Sequence, residues 1–133
     1  MTTTNSIVLK AFNKHIFEFI DDIVRIFPDN QNIIESRDLM ITLKKANPTL
    51  IIKTWQYFIW NPYQDQILNG DIDFFIEKDY THDLRYMNNS KEIIKAIETT
   101  IRDPLRAMDD TNRIHCIQHL QVVSKLSSKY QSA

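Results

Sequence analysis

Residues 7–27 read IVLKAFNKHIFEFIDDIVRIF and carry the clearest structural pattern in the chain. Large apolar side chains recur there every three or four residues, the spacing that lines one face of an α-helix. These side chains belong to Phe12, Ile16, Phe19, Ile20, Ile23 and Phe27. Ser6 suits the N-terminal cap of a helix, and Pro28 ends the pattern because proline has no backbone N–H to donate. We therefore predict a long first helix, buried on more than one side, after a flexible segment at residues 1–6.

The same helical spacing recurs in shorter segments that follow Pro28. It predicts helices over residues 31–46, 48–60, 62–68, 91–102 and 110–129. Proline or glycine separates the segments, at Pro28, Pro48, Pro62, Gly70 and Pro104. Asp103-Pro104 predicts a kink or a short new helix. Residues 72–80 fit a strand or a short helix, and we favour the helix because no other segment offers a partner strand.

The chain has 133 residues and a single glycine. A length of this order is typical of one domain. A β-sandwich or β-barrel needs several residues that accept positive φ in its tight turns, and one glycine is too few for that. We predict an all-α fold, a single compact bundle of five to seven helices that extends over residues 1–133.

Charge and cysteine content narrow the class of protein. The formal net charge is −1, whereas a general nucleic-acid binder usually carries an excess of basic residues. Cys116 is the only cysteine, which excludes an internal disulfide and is typical of a reducing compartment. The sequence has no uncharged apolar run of about 20 residues and no secretory signal pattern at its N-terminus. We therefore expect a protein that is neither secreted nor in contact with a membrane.

Nine of the fourteen aromatic residues lie within residues 55–86. Aromatic side chains bury large areas and dominate the energies of both cores and interfaces. We expect Trp55, Phe58 and Ile59 to lie on the side of the third helix that faces the core. Tyr57 and Trp60 fall on the flank of that side, where a partner could reach them. The candidate partner-binding residues are Tyr57, Trp60 and Tyr63.

Basic residues near the aromatic stretch support an alternative function. Lysines interleaved with aromatic side chains can hold phosphates while bases stack on the rings. A nucleic-acid-associated accessory protein would use Lys44, Lys45, Lys53, Arg102, Arg106 and Arg113. A core-facing aromatic stripe surrounded by solvated lysines explains the same pattern without nucleic acid, and we favour that interpretation.

His115 and His119 are four residues apart, the spacing that places two imidazoles on one face of a helix and can bind a metal ion. No glutamate lies between them as in a zinc protease motif. We favour two partly exposed surface histidines, with no metal and no cofactor, and keep a metal-assisted enzyme as a third hypothesis. One glycine is too few for a phosphate-binding or dinucleotide-binding loop, so we do not expect an enzyme.

Two other groups of polar side chains favour a structural interpretation. Gly70 precedes the acidic run over residues 71–83, whereas a calcium-binding loop needs its glycine after the first ligands. We interpret this run as a solvated acidic face. Cys116 and His115 point about 100° apart on a helix, so they do not form a thiol–base pair, and we expect Cys116 to be buried or half-buried.

Three segments carry a resemblance to a known group of proteins. They read KAFNKHIFEFIDDIVRIFPDN at residues 10–30, KKANPTLIIKTWQYFIWNPYQDQILNGDIDFFIEKDY at residues 44–80 and LSSKY at residues 126–130. In their pattern of aromatics, prolines and Asn-Gly-Asp they resemble a family of short proteins of nucleocytoplasmic large DNA viruses, the giant-virus and algal-virus lineages. The resemblance extends over nearly the whole chain. It implies a viral protein made in an infected cell, and it implies no activity and no functional residues.

Together these observations favour a non-enzymatic interaction or structural protein of a large DNA virus. It would act in the particle, or in replication and assembly, through contacts with a viral or host protein or with a second copy of itself. We expect it in the cytoplasm of the infected cell, at the viral factory, or in the virion. The nucleic-acid-associated function stays as the alternative.

Overall fold

The computed structural model describes residues 2–71, 73–77 and 90–131, and within these ranges the chain forms helices and no strand. The α-helices are α1 (Thr2–Ile26), α2 (Gln31–Ala46), α3 (Leu50–Trp55), α4 (Asn61–Leu68), α5 (Asp73–Glu77), α6 (Ser90–Ile97), α7 (Asp103–Ala107) and α8 (Asp110–Lys129). Two π-helical turns, π1 (Gln56–Trp60) and π2 (Glu98–Arg102), join α3 to α4 and α6 to α7. Because π1 and π2 make α3–α4 and α6–α7 continuous, the described residues form 6 helices, and the prediction of an all-α bundle of five to seven helices is confirmed.

Local capping explains where several helices begin and end. Asn30 accepts a hydrogen bond from the backbone N–H of Ile33 (3.2 Å) and starts α2. Asp109 accepts one from the backbone N–H of Asn112 (2.8 Å) at the start of α8. After α4, Gly70 has a φ of 74°, a left-handed conformation that glycine adopts without steric cost. The bounds of α2 and α8 agree with the predicted ranges.

The structure differs from the prediction around Pro62. The sequence pattern predicts a stop before Asn61, but the chain stays helical there and leaves helical φ and ψ at Tyr63 (−130°, 29°). In π1 the N–H of Asn61 bonds to the carbonyl of Gln56, five residues earlier. A proline has no N–H, and its ring clashes with the carbonyl four residues earlier in an α-helix. The wider π turn lets the helical path continue across this proline.

A second π-helical turn has the same cause. In π2 the N–H of Asp103 bonds to the carbonyl of Glu98, and Pro104 follows in the first turn of α7. The prediction of a kink or a short new helix at this point is confirmed, because α7 is a helix of 5 residues. The helix predicted within residues 72–80 is present as α5, while Ile72 and residues 78–80 lie outside the described residues.

The start of α1 also differs from the prediction. The helix begins at Thr2, so Ser6 lies inside it, and the residues expected to be flexible are helical from Thr2 onward. The side-chain amide of Asn5 donates to the carbonyl of Gln131 and accepts from its N–H, both at 3.0 Å. These two residues are 126 positions apart in the sequence. The spacing of residues within one helix therefore could not predict this contact, which holds the first turn of α1.

The core forms where α1, α3 and α8 meet. Phe12 and Trp55 are fully buried and their rings pack edge to face, with centroids 6.4 Å apart. The indole Nε1 of Trp55 donates to the hydroxyl of Ser124 at 2.9 Å, which pairs its one polar atom. Trp55 and Ile59 face the core as predicted, whereas Phe58 is only half-buried.

Helix α1 packs most extensively on α8, and α2 lies along another side of it. The helices α1 and α8 are antiparallel, because Asn5 meets Gln131 at one end and Asp22 meets His115 nearer the other. No helix in the described part of the chain is both long enough and apolar enough to cross a membrane.

Candidate functional sites

The three candidate partner-binding residues differ in exposure. Tyr57 lies on π1 and is 68% exposed, with its ring in edge contact with Phe58 (centroids 4.7 Å apart). Trp60 is half-buried and packs against the core. Tyr63 is also half-buried, and its ring stacks on Phe74 with centroids 4.4 Å apart. Tyr57 is therefore the most accessible of the three.

The three arginines of the predicted nucleic-acid-binding set make intramolecular contacts. Arg102 forms ion pairs with Glu98 (2.7 Å) and Asp103 (3.0 Å). Arg106 donates a hydrogen bond to a backbone carbonyl of α5. Arg113 donates to three backbone carbonyls at the end of α7, at 3.2, 3.3 and 3.5 Å. Arg106 and Arg113 therefore hold α7 against α5 and α8, whereas both of these ion pairs of Arg102 lie within π2 and the start of α7.

The lysines of the same set lie on two helices. Lys53 is exposed on α3, and Lys44 and Lys45 lie in the last turn of α2, where positive charge complements the helix dipole. The ammonium of Lys44 lies 5.3 Å from the centroid of the Phe17 ring, within reach of a cation–π contact. Lys44 therefore belongs to the contact region between α1 and α2.

A groove of about 700 Å³ lies between α1 and α2. Its apolar lining consists of Leu9, Phe17, Ile41 and Pro48. Phe17 is only half-buried, so part of its side chain is accessible from the groove. The spacing of apolar residues did not reveal the groove, because it predicts which residues share a face of α1 and not which of them a neighbouring helix covers. The sequence feature that pointed toward a groove was the unusual width of the apolar face of α1.

Polar contacts tie α1 to α2 and its following loop at both ends of the groove. At one end the Nε of Arg37 lies 2.6 Å from the Oδ1 of Asp21. At the other, the side-chain amide of Asn13 donates to the carbonyl of Pro48 at 3.1 Å. The Oδ1 of Asn13 is buried and accepts no hydrogen bond from any group that the structure describes.

The rim of the groove carries more positive than negative charge. Lys10, Lys14 and Lys44 border it. Glu18 lies beside them, and no described arginine forms an ion pair with it. Asp21 is neutralised by its ion pair with Arg37. An acidic partner therefore fits the rim better than a basic one.

Histidines of α1 and α8 meet at Asp22. The Nε2 of His119 lies 2.6 Å from the Oδ2 of Asp22, and the Nε2 of His115 lies 3.7 Å from the same oxygen. The other ring nitrogen of His119, Nδ1, lies 3.4 Å from the Nε2 of His15. Arg25 forms an ion pair with the second oxygen of Asp22, Oδ1. We call Asp22, His15, His115 and His119 the histidine cluster.

The two histidines of α8 both keep some exposure, as expected, but to different degrees. The side chain of His115 is 59% exposed, whereas that of His119 is 16% exposed, with its ring stacked on Phe19 at a centroid distance of 5.1 Å. The spacing of four residues placed both imidazoles on one face of α8, as predicted. Asp22 is 97 positions from His119, so only the fold brings the carboxylate to them.

Burial is the largest influence on the pKa values of the inner histidines. It lowers the pKa of His119, and the neighbouring His115 lowers that pKa further. Burial also lowers the pKa of His15, and His119 adds to this effect. Glu18 opposes these effects by raising both pKa values, and Arg25 lowers the pKa of His119. Neutral imidazole, which offers a nitrogen lone pair, is therefore favoured at neutral pH.

A shallow cavity of about 180 Å³ opens above the histidine cluster. It is lined by His15, His115, Gln118, His119 and Val122. The edges of three imidazoles therefore face a space that solvent or a small ligand can enter.

The remaining candidate groups have structural roles. Cys116 is fully buried, as predicted, and its Sγ lies 3.6 Å from the Sδ of Met108. Burial raises the pKa of the Cys116 thiol to about 11, which removes its nucleophilic form at neutral pH. In the acidic run, Asp71 and Asp73 are exposed, and the rest of the run from Lys78 onward lies outside the described residues.

Comparisons of the chain with protein-family models, with curated proteins and with solved structures found no match.

Proposed function

We propose that the chain is a non-enzymatic interaction protein of a large DNA virus, and that it binds a partner protein through the groove between α1 and α2. The observation that carries this proposal is the groove, an apolar surface left open between two helices that are tied together at both of its ends. Apolar surface gathered in a concave site is typical of binding regions, whereas isolated exposed apolar residues are not.

The chemistry of the groove indicates the kind of partner. Leu9 and Phe17 offer apolar contacts to the apolar side of an amphipathic helix, as in helix-in-groove recognition. Lys10, Lys14 and Lys44 border those contacts and would face acidic residues of the partner. We therefore propose that the occupant is a helical segment of another protein, with acidic residues beside its apolar face.

The viral part of the proposal is supported by the resemblance of residues 10–30, 44–80 and 126–130 to proteins of large DNA viruses. The protein would act at the viral factory in the infected cytoplasm or in the virion. Quantitative mass spectrometry of purified virions and of infected-cell fractions tests this. A copy number similar to that of known particle proteins would support packaging, and absence from both fractions would contradict the viral proposal.

Photo-crosslinking tests the groove directly. A photoreactive phenylalanine analogue replaces Ile41 in the groove in one variant, and replaces Leu39, an exposed residue of α2 outside the groove, in the matched control. In infected cells, the analogue at position 41 should crosslink one partner protein in much higher yield than the analogue at position 39. Equal yields, or a crosslink to a second copy of the chain, would contradict the proposed occupant.

Tyr57, Trp60 and Tyr63 form the competing surface for the same function. Tyrosine and tryptophan are common among the residues that dominate binding energy, and Tyr57 is well exposed. The same analogue at position 57 provides the comparison. A dominant crosslink from position 57 would move the interface from the groove to π1, and an interaction function would remain.

A further inference from the structure

We propose that Asp22, His115 and His119 form a binding site for a divalent transition-metal ion, with Zn²⁺ as the preferred ion. This inference is independent of the groove and of any partner protein. The three ligands come from two helices, one from α1 and two from α8, so a bound ion would link the two helices that pack most extensively on each other.

The ligand atoms are already close to the arrangement that zinc needs. One ligand atom from each residue lies within 4.8 Å of the other two. Zinc bonds of roughly 2.0–2.2 Å in a tetrahedron place neighbouring ligand atoms about 3.3–3.5 Å apart. The 3.7 Å separation between Asp22 and His115 is near that value, and the 2.6 Å separation between Asp22 and His119 must widen by less than an ångström. The two imidazole nitrogens lie within 4.8 Å of each other, and a bound ion would draw all three ligand atoms to one common spacing.

The donor set selects the class of metal. Two imidazoles and one carboxylate suit zinc and its neighbours in the first transition row, whereas calcium and magnesium prefer sites made of oxygen ligands alone. Because His115 and His119 are separated by one helical turn, both imidazoles reach the same side of α8. Asp22 then contributes the single negative charge.

Contacts around the ligands hold them in place for this role. Arg25 engages the Oδ1 of Asp22, which leaves Oδ2 directed at the two histidines. The Nδ1 of His119 lies 3.4 Å from the Nε2 of His15, so His119 can donate its N–H there while its Nε2 faces the ion. Metal-binding histidines almost always donate their second ring N–H to such an acceptor. Phe19 stacks on the His119 ring and limits its rotation.

The fourth position of the metal would face the cavity of about 180 Å³ above the cluster. A water molecule or an external ligand would occupy it, because the protein supplies three ligands. Arg25 adds a positive charge beside the carboxylate, which opposes a divalent cation. We therefore expect an affinity in the micromolar range, weaker than that of a closed four-ligand site.

Calorimetric titration of the metal-free protein with Zn²⁺ tests the site. We expect one ion per chain. His115→Ala should weaken the affinity by at least about a hundredfold, because removing a metal ligand should cost at least as much as removing an outer-shell partner. Gln118→Ala is the matched control, because Gln118 lines the same cavity and is outside the proposed ligand set. His15→Ala should weaken binding about tenfold, as expected for a residue that orients a ligand.

A second measurement keeps the test valid if a variant loses stability. His115 is well exposed, so His115→Ala should fold normally, and circular dichroism checks this directly. Co²⁺ in place of Zn²⁺ should give the strong visible absorption of tetrahedral coordination, and the His115→Ala variant should lose it. No saturable binding by the original chain, or equal affinities for the original chain and His115→Ala, would overturn the proposal.

Discussion

The two sides of α1 differ in how their neighbours cover them. Toward α8, polar side chains meet directly across the interface, as His119 meets Asp22. Toward α2, the polar contacts lie at the ends of the interface, as Arg37 meets Asp21, and the apolar middle around Phe17 stays accessible. One side therefore has the features of a ligand-binding cluster, and the other has the features of a surface for a partner protein.

This difference shows that a wide apolar face on a helix is not necessarily buried over its whole width. The apolar face of α1 includes Phe12 and Phe19, which are fully buried, and continues to Phe17, which is not. Because the stripe is wider than α3 and α8 can cover, part of it is left for α2, which covers it incompletely. The proposals for the groove and for the cluster both follow from this division.

Alanine substitutions of two phenylalanines on α1 should produce the largest effect and test the division directly. Phe19→Ala should lower the free energy of unfolding by about 3–5 kcal/mol, because it empties a fully buried position. Phe17→Ala should lower it by about 1 kcal/mol, because part of that ring already contacts solvent. Urea unfolding followed by circular dichroism measures both values. Equal losses would mean that the groove is closed in solution.

Much of this fold could be predicted from the sequence because its signals are local. The bounds of α2 and α8 followed from apolar spacing. The structure adds the capping contacts of Asn30 and Asp109, which act within one helical turn. The π-helical turns could not be located in this way. A proline predicts a disturbed helix, but the spacing does not say whether the helix stops or widens into a π turn, as it does before Pro62.

The next largest expected effect concerns the thiol of Cys116, a buried residue of α8. Its pKa is raised to about 11 from a reference value of 9.0, so folding favours the neutral thiol. At about pH 8 the reactive thiolate should therefore be about a hundredfold scarcer than in the unfolded chain. Alkylation rates with iodoacetamide, measured with and without urea, test this. Similar rates in both conditions would show that the α8 interface opens easily.

Charge reversal on the groove rim should have a moderate effect on partner binding. The triple variant replaces Lys10, Lys14 and Lys44 by Glu. It should weaken binding of the acidic partner segment by at least about tenfold and reduce the dependence of the affinity on salt. The matched control reverses the charge of Lys53, Lys125 and Lys129, three exposed lysines outside the groove. Fluorescence anisotropy of the labelled segment measures both affinities, and equal weakening by the two triple variants would argue against the groove.

The smallest expected effect concerns the ion pair at the end of the groove. The side chains of Arg37 and Asp21 are 30% and 41% exposed, so solvent screens their attraction. Arg37→Ala should therefore cost less than about 1 kcal/mol of stability. A double-mutant cycle with Asp21→Ala, measured by urea unfolding, gives the coupling between them. A coupling well above that value would show that this contact determines the groove more strongly than its exposure indicates.

The candidate sites could be predicted only in part, for a reason that the histidine cluster makes clear. The spacing of His115 and His119 was visible in the sequence, because one helix carries both. Asp22 and His15 lie on α1 and join them only through the packing of α1 on α8. The groove has the same origin, since its lining combines residues of α1 and α2. Sites within one helix can be read from spacing, and sites between helices cannot.

A nuclear magnetic resonance titration tests the central claim, partner binding in the groove, most directly. The isotopically labelled chain is titrated with the helical segment of the partner that crosslinking identifies. We predict that the largest amide shift changes occur at Leu9, Phe17 and Ile41, with little change at Tyr57. Changes centred on Tyr57 and Trp60, with the groove residues unaffected, would contradict the account.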